Sequence, residues 1–153
     1  MILRAMRICG ALALLAVGAV HLQEYAGSGY DRIPTIGTLF LLNAIGCAVV
    51  GIGLLAPIRR WFAQRRSDML TGLLALGGVL IAAGSLIALF ISEAGTLFGF
   101  SEHGYRTAII AAIAAEAVTI FLLGPVAVAA FARLRADRHR RIAGSPGHPL
   151  RAL

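Results

Sequence analysis

The chain has 153 residues, 59% of them hydrophobic and 14% charged, with a net charge of +7 and a mean hydropathy of +0.85. Soluble domains run near ~45–50% apolar and ~25% charged, so a water-solvated fold of this composition lacks the polar surface to cover itself, whereas lipid can face apolar side chains directly. All fourteen basic residues are arginine; they flank apolar runs instead of forming one soluble basic face, which argues against nucleic acid and for anionic lipid as the counter-charge.

Four apolar runs follow one another, at about 6–25, 36–55, 69–91 and 108–131. Each approaches or exceeds the ~20 helical residues that cross a ~30 Å hydrocarbon core, and in lipid an open strand would leave backbone groups unpaired. The prediction is therefore an all-α fold, a four-transmembrane-helix bundle over residues 1–132, followed by a basic cytoplasmic tail, 133–153, that begins as a short helical extension and is largely disordered.

The first run also reads as a signal peptide: "MILRAMRICGALALLAVGA" has a basic start, an apolar centre and the small-x-small end Val17-Gly18-Ala19. The run continues through His21 and Leu22 without a polar cleavage region, which favours a retained span. Cys9 and Cys47 lie in apolar runs outside any CxxC pair, so buried thiols are expected and a disulfide framework is not.

Where that run ends, His21, Glu24 and Tyr25 arrive at i, i+3 and i+4 and share one helical face. The functional reading is a ligand or metal site on the outer side, with His103, Glu93 and Glu102 of the second polar break as weak metal candidates beside His21. Imidazole and carboxylate suit zinc or copper. No HxxxH or HExxH spacing occurs, so no metal site is assigned; the plain alternative is polar residues meeting headgroups. No cofactor is implied.

Asn43 lies about seven residues inside the second run, at a depth of ~10 Å. Between the second and third runs stand Arg59, Arg60, Arg65 and Arg66, with Trp61 and Phe62 as an interfacial anchor. Arg4 and Arg7 precede the first run, and Arg133, Arg135, Arg138, Arg140 and Arg141 follow the fourth; the other two connections hold only Arg32 and Arg106 against Glu24, Asp31, Glu93 and Glu102. The positive-inside rule places both termini in the cytoplasm of a bacterial inner membrane, with these arginines on lipid headgroups and Tyr25, Tyr30 and Tyr105 at the opposite interface. In the second and third runs Ala44/Ala48, Gly78/Ala82 and Gly84/Ala88 form small-xxx-small pairs that permit close helix approach or self-association.

"GTLF" occurs at 37–40 and again at 95–98, and "GYDR" at 29–32 resembles "GYR" at 104–106. The order of the two words is reversed, so chance recurrence competes with duplication. In the fourth run Glu116 is ~12 Å below the outer edge, where an ionised carboxylate is costly by ~2.5–3.5 kcal/mol or more. It should face the bundle interior, pairing with Asn43 or, as second choice, His21, with Thr119 and Ala112 on its face. The expected polar pocket thus comprises His21, Glu24, Tyr25, Asn43, Glu116 and Thr119, serving either as a relay or binding site or as a clamp worth ~0.6–2 kcal/mol.

At "HLQEYAGSGYDRIPTIGTLFLLNAIG" the chain resembles a group of small four-helix integral membrane proteins of GC-rich bacteria, in which a histidine ends the first helix and an "IPTIG-LFLLN" stretch, here Ile33 to Asn43, opens the second. The similarity continues to "HGYRTAIIAAIAAE" and covers most of residues 15 to 120. It implies the four-helix fold and draws attention to His21, Asn43 and Glu116, and it implies no reaction. No phosphate-binding loop, nucleophile elbow or zinc-protease helix is present. The leading expectation is a non-enzymatic membrane protein, a homo-oligomer or an accessory subunit of a larger complex. A small transport or redox/metal-associated protein built on His21, Asn43 and Glu116 comes second, and a membrane enzyme third.

Overall fold

The computed structural model describes residues 1–99 and 107–143, with side chains through Arg140. Four long helices dominate: α1 (Ile2–Gly27), α2 (Pro34–Leu55), α4 (Gln64–Ala94) and α5 (Thr107–Ala143), with a one-turn helix α3 (Ile58–Trp61) between α2 and α4 and a 3₁₀ turn at Tyr30–Arg32. All four long helices have the length and composition to cross a membrane. The shortest, α2, has 22 residues, or ~33 Å at ~1.5 Å per residue, against a ~30 Å hydrocarbon core.

The helices outrun the apolar runs that announced them. The fourth continues through Arg133, Arg135 and Arg138 to Ala143 without a break, even though Pro125 lies inside it and removes one backbone donor. Helix α5 therefore covers residues 133–143 of the expected tail; residues 144–153 lie outside the described residues.

The solvent implied by the surface is lipid. Leu42, Val49, Ile52, Leu80, Phe121 and Val128 are each about 59–76% exposed. Packing is reserved for a narrow interior of Ala11, Leu14 and Val17 from α1, Cys47 and Leu54 from α2, Ala75 from α4 and Leu123 from α5. The chain is a multi-pass membrane protein. Around the bundle the order is α1, α2, α4, α5, each helix antiparallel to its neighbours; among the described residues α2 and α5 form the diagonal that does not touch.

Close approach is made by small residues. A Cβ on Gly18 would stand 2.8 Å from Cys47 Cβ and 3.3 Å from the Ala44 carbonyl, and one on Gly78 would stand 2.7 Å from Leu123 Cδ1. Ala44/Ala48 and Gly78/Ala82 thus lie on contact faces, whereas Gly84, at the head of the third such pair, faces open space. The two GTLF words have different structures: 37–40 sits in the opening turns of α2, while 95–98 follows the end of α4, with Phe98 at φ 52°. That difference supports chance recurrence.

The spacing of α2 and α4 varies along their length. They meet where Leu74 approaches Gly53 and Ile81 approaches Gly46. Beyond Gly46 and Ile81, toward Pro34 and Ala94, a cavity separates them.

A Gly18→Ala variant should lower the thermal midpoint of the detergent-solubilised protein by the equivalent of about 1–3 kcal/mol, the usual cost of overpacking. Gly84→Ala, with no clash and a better helix former, should leave the midpoint unchanged or raise it.

Candidate functional site

The cavity between the splayed ends of α2 and α4 has a volume of about 420 Å³. Its local architecture begins with the α1–α2 connection. α1 ends at Gly27, and Gly29, at φ 82°, takes a left-handed conformation that glycine tolerates without strain. The chain then turns through Tyr30–Arg32 and starts α2 with Pro34 at its first position, where proline's fixed φ and missing donor suit a helix start. Gly37 has no side chain because the Tyr30 carbonyl rests against it. This contact folds the turn back over α2 and brings the Tyr30 ring into the cavity wall, 7% exposed.

Three rings follow in series. Tyr30 stacks on Phe40, centroids 4.7 Å apart at 15°, and Phe40 leans on His21 at 5.1 Å and 41°. These separations are those of favourable aromatic pairs.

His21 is held at both nitrogens. Nδ1 lies 2.9 Å from the Val17 carbonyl, which can only accept, so Nδ1 carries a proton. Nε2 lies 3.0 Å from Ser85 Oγ. Ser85 also lies close to the Glu116 carboxyl. Glu116 is 1% exposed, and its Oε1 has no protein partner. An unpartnered buried acceptor costs on the order of 1–3 kcal/mol.

Of the six residues expected to form a polar pocket, four line the cavity: His21, Glu24, Asn43 and Glu116. Tyr25, half-buried, is not on its wall; Tyr30 takes the place expected for it. Thr119 is fully buried and donates to the Ala115 carbonyl of its own helix at 2.8 Å. The expected Asn43–Glu116 hydrogen bond is replaced. Asn43 accepts from the Cys47 thiol at 3.1 Å, and Glu116 lies beside Ser85, because α2 and α5 lie on a diagonal of the bundle and leave the cavity between these two side chains.

Ser85 is the residue the sequence reading missed. A depth count finds it: Ser85 stands nine residues before the end of α4, Glu116 nine after the start of α5 and Asn43 nine after the start of α2. One hydroxyl in a long apolar run at the level of an acid is that signal.

Among the described residues no three His, Cys, Asp or Glu side chains converge as a metal would require. His103 and Glu102 of the expected metal candidates lie outside the described residues, as does Tyr105, and Glu93 does not line the cavity.

At the opposite end of the bundle Arg60, Arg65, Arg66 and Arg135 are exposed, free to meet headgroups. Arg59 and Arg133 also pair with buried Asp68, at 3.4 Å and 3.7 Å, while Gln64 donates to its other oxygen at 2.7 Å. Asp68 therefore ties the α2–α4 connection to α5, a clamp that the sequence reading did not anticipate.

No family model matches the chain, and comparisons with curated proteins and with solved structures return no match.

Replacing Phe40 by leucine should remove the two ring contacts while keeping an apolar side chain, at a cost of about 0.5–1.5 kcal/mol. Phe40→Ala should cost more, because it also leaves a void beside His21. Thermal unfolding of both variants in the same detergent checks the order.

Proposed function

We propose that this protein is a non-enzymatic binding protein of the bacterial cytoplasmic membrane that takes up a lipid-soluble amphiphile carrying a hydroxyl head. The observation that carries this reading is the cavity of about 420 Å³ itself, lined mainly by apolar side chains with the buried Glu116 carboxyl among its few polar groups. Ligand pockets combine apolar walls with a few converging polar groups and occupy ~300–1,000 Å³. The cavity fits that description, with His21, Asn43, Ser85 and Glu116 as the polar set.

The route in is sideways. Leu39 and Leu42 of α2 and Leu80 and Gly84 of α4 line the cavity and are themselves exposed, so the gap between the two helices opens toward lipid. An amphiphile dissolved in the bilayer reaches the site without leaving the hydrocarbon. Its apolar body replaces lipid contacts with protein contacts, and its hydroxyl gains a partner that lipid tails cannot offer.

Arginine bias orients the molecule: Arg7 lies close enough to Arg4 and Arg59 to feel their charge, and Arg133 joins Arg59 at Asp68. With this end in the cytoplasm, both termini are cytoplasmic and the cavity belongs to the outer half of the bilayer. The resemblance to small four-helix proteins of GC-rich bacteria agrees with this setting. An accessory-subunit role is compatible with it, since a bound amphiphile can be presented to a neighbour, but the exposed apolar faces serve lipid equally well.

The test uses para-nonylphenol and its methyl ether, which lacks the donor, in equilibrium dialysis against the purified full-length protein. The wild type should bind the phenol about tenfold more tightly than the ether, the equivalent of one hydrogen bond. Glu116→Leu should erase that preference. Gly84→Trp, filling the opening, should abolish binding of both while the thermal midpoint shows a folded protein. Equal binding of phenol and ether by the wild type overturns the donor assignment, and undiminished binding by Gly84→Trp overturns the lateral route.

A further inference from the structure

We propose that the arginine-rich end of the bundle holds one phosphate group, that of an anionic lipid headgroup, among Arg4 and Arg7 of α1 and Arg59 of α3. The site lies at the opposite end of the helices from the cavity and does not depend on its reading.

The interior stripe of α1 places two of the three cations. Gly10, Ala11, Leu14, Val17, Gly18 and His21 are buried, spaced three or four apart as one helical face requires. Continued toward the start of the helix, that stripe reaches Arg7 and then Arg4. Arg7 is half-buried, and its Nε is shut off from solvent without a hydrogen-bond partner. Its stem is therefore packed into the mouth of the bundle, and its guanidinium end is fixed there.

Helix register brings the third cation to the same level. A Cβ on Gly78 would stand 3.1 Å from Leu14 Cδ2, and α1 and α4 run in the same direction. Ten residues earlier in each helix stand Arg4 and Asp68. On the other flank Gly51 of α2 meets Ala11 and Leu15. One turn further along these two helices lie Arg7 and Leu55, and Arg59 follows in the connection. Its ion pair with Asp68, at 3.4 Å, ties Arg59 to this level.

Charge here is unbalanced. Asp68 already takes Arg59 and Arg133 on Oδ1 and Gln64 on Oδ2. Among the described residues Arg4 and Arg7 have no carboxylate partner. Asp137, the next acid on α5, stands a turn beyond Arg133 and away from α1. Four arginines thus share one carboxylate. A phosphate supplies the counter-charge, and its oxygens match the planar fork of a guanidinium. The helix ends lie where lipid phosphates lie, and basic pockets between membrane helices bind such headgroups. Arg65 and Arg66 are exposed and can meet any headgroup. The inward set differs because burial fixes Arg7 and Asp68 fixes Arg59, so less freedom is lost on binding.

The test is native mass spectrometry of the full-length protein in detergent, with phosphatidylglycerol and phosphatidylcholine of identical chains in competition. The wild type should retain one phosphatidylglycerol in preference to phosphatidylcholine. Arg4→Gln, which alters only an exposed side chain, should cut that preference about fivefold, and Arg7→Gln by as much or more. Arg65→Gln/Arg66→Gln removes the same charge from the outer surface and should leave the preference unchanged. Inorganic phosphate, added against chloride at equal ionic strength, separates the sources. Failure to displace the lipid assigns the site to a headgroup, as proposed, and displacement assigns the same guanidinium set to a soluble phosphate. No preference in the wild type, or equal losses in Arg4→Gln and Arg65→Gln/Arg66→Gln, overturns the site. Phenol binding, read by dialysis, is untouched by either result.

Discussion

Lipid outside the bundle removes the force that holds most proteins together. A leucine gains little by leaving hydrocarbon for a protein interior that is equally apolar, so helices in a membrane associate through close packing and through polar contacts that lipid cannot supply. Both devices are visible here, and they occupy different parts of the molecule. In the middle of the bundle the backbones come together at Gly18 and Gly78 over a thin core of Leu14, Cys47 and Leu123. Toward its two ends the contacts are polar. Asp68 gathers Arg59, Gln64 and Arg133 at one end, and Ser85 bonds His21 toward the other.

The two polar clusters do different things because their settings differ. Asp68 is buried, but the arginines it meets are exposed to 61% and 47%. Pairs with such partners are screened and weak individually, typically below ~1 kcal/mol; their effect is to fix the α2–α4 connection against α5. Among the described residues no arginine lines the cavity beside Ser85. Glu116 keeps one oxygen unsatisfied, as Ser67 keeps its hydroxyl, whereas the buried hydroxyls of Ser92 and Thr119 are bonded to backbone carbonyls. A site that maximised stability would fill the cavity and pair that oxygen.

The boundaries of membrane spans are set by composition, which is local, and the four helices were accordingly legible in the sequence. So was the depth at which polar residues collect, since depth follows from counting along a helix. Partnership was not. Asn43 and Glu116 lie at matched depth, yet the ring order α1, α2, α4, α5 puts their helices on a diagonal, and no periodicity in either segment reports that order. Tyr25 and Tyr30 are equally plausible from composition; the choice between them depends on the turn that Gly29 and Gly37 permit, a constraint that appears only when the two helices are placed side by side. Ser85 escaped notice because a hydroxyl in an apolar helix can bond its own backbone, as Ser92 and Thr119 do, and sequence alone does not separate the two uses.

The cavity follows from a change in residue size along α2. α2 and α4 approach where Gly46, Gly53 and Gly77 present small faces to Ile81, Leu74 and Val50, and beyond that stretch α2 presents Leu39, Phe40 and Asn43 instead. The larger side chains of α2 stand off the face of α4 that carries Gly84, Ser85 and Ala88, and Ser85 and Glu116 line the gap so formed. The aromatic series Tyr30–Phe40–His21 then fixes the imidazole from the α2 side, while the Val17 carbonyl fixes it from its own helix. With Phe40 packed against the ring and a hydrogen bond at each nitrogen, the imidazole is held in one orientation at the cavity wall.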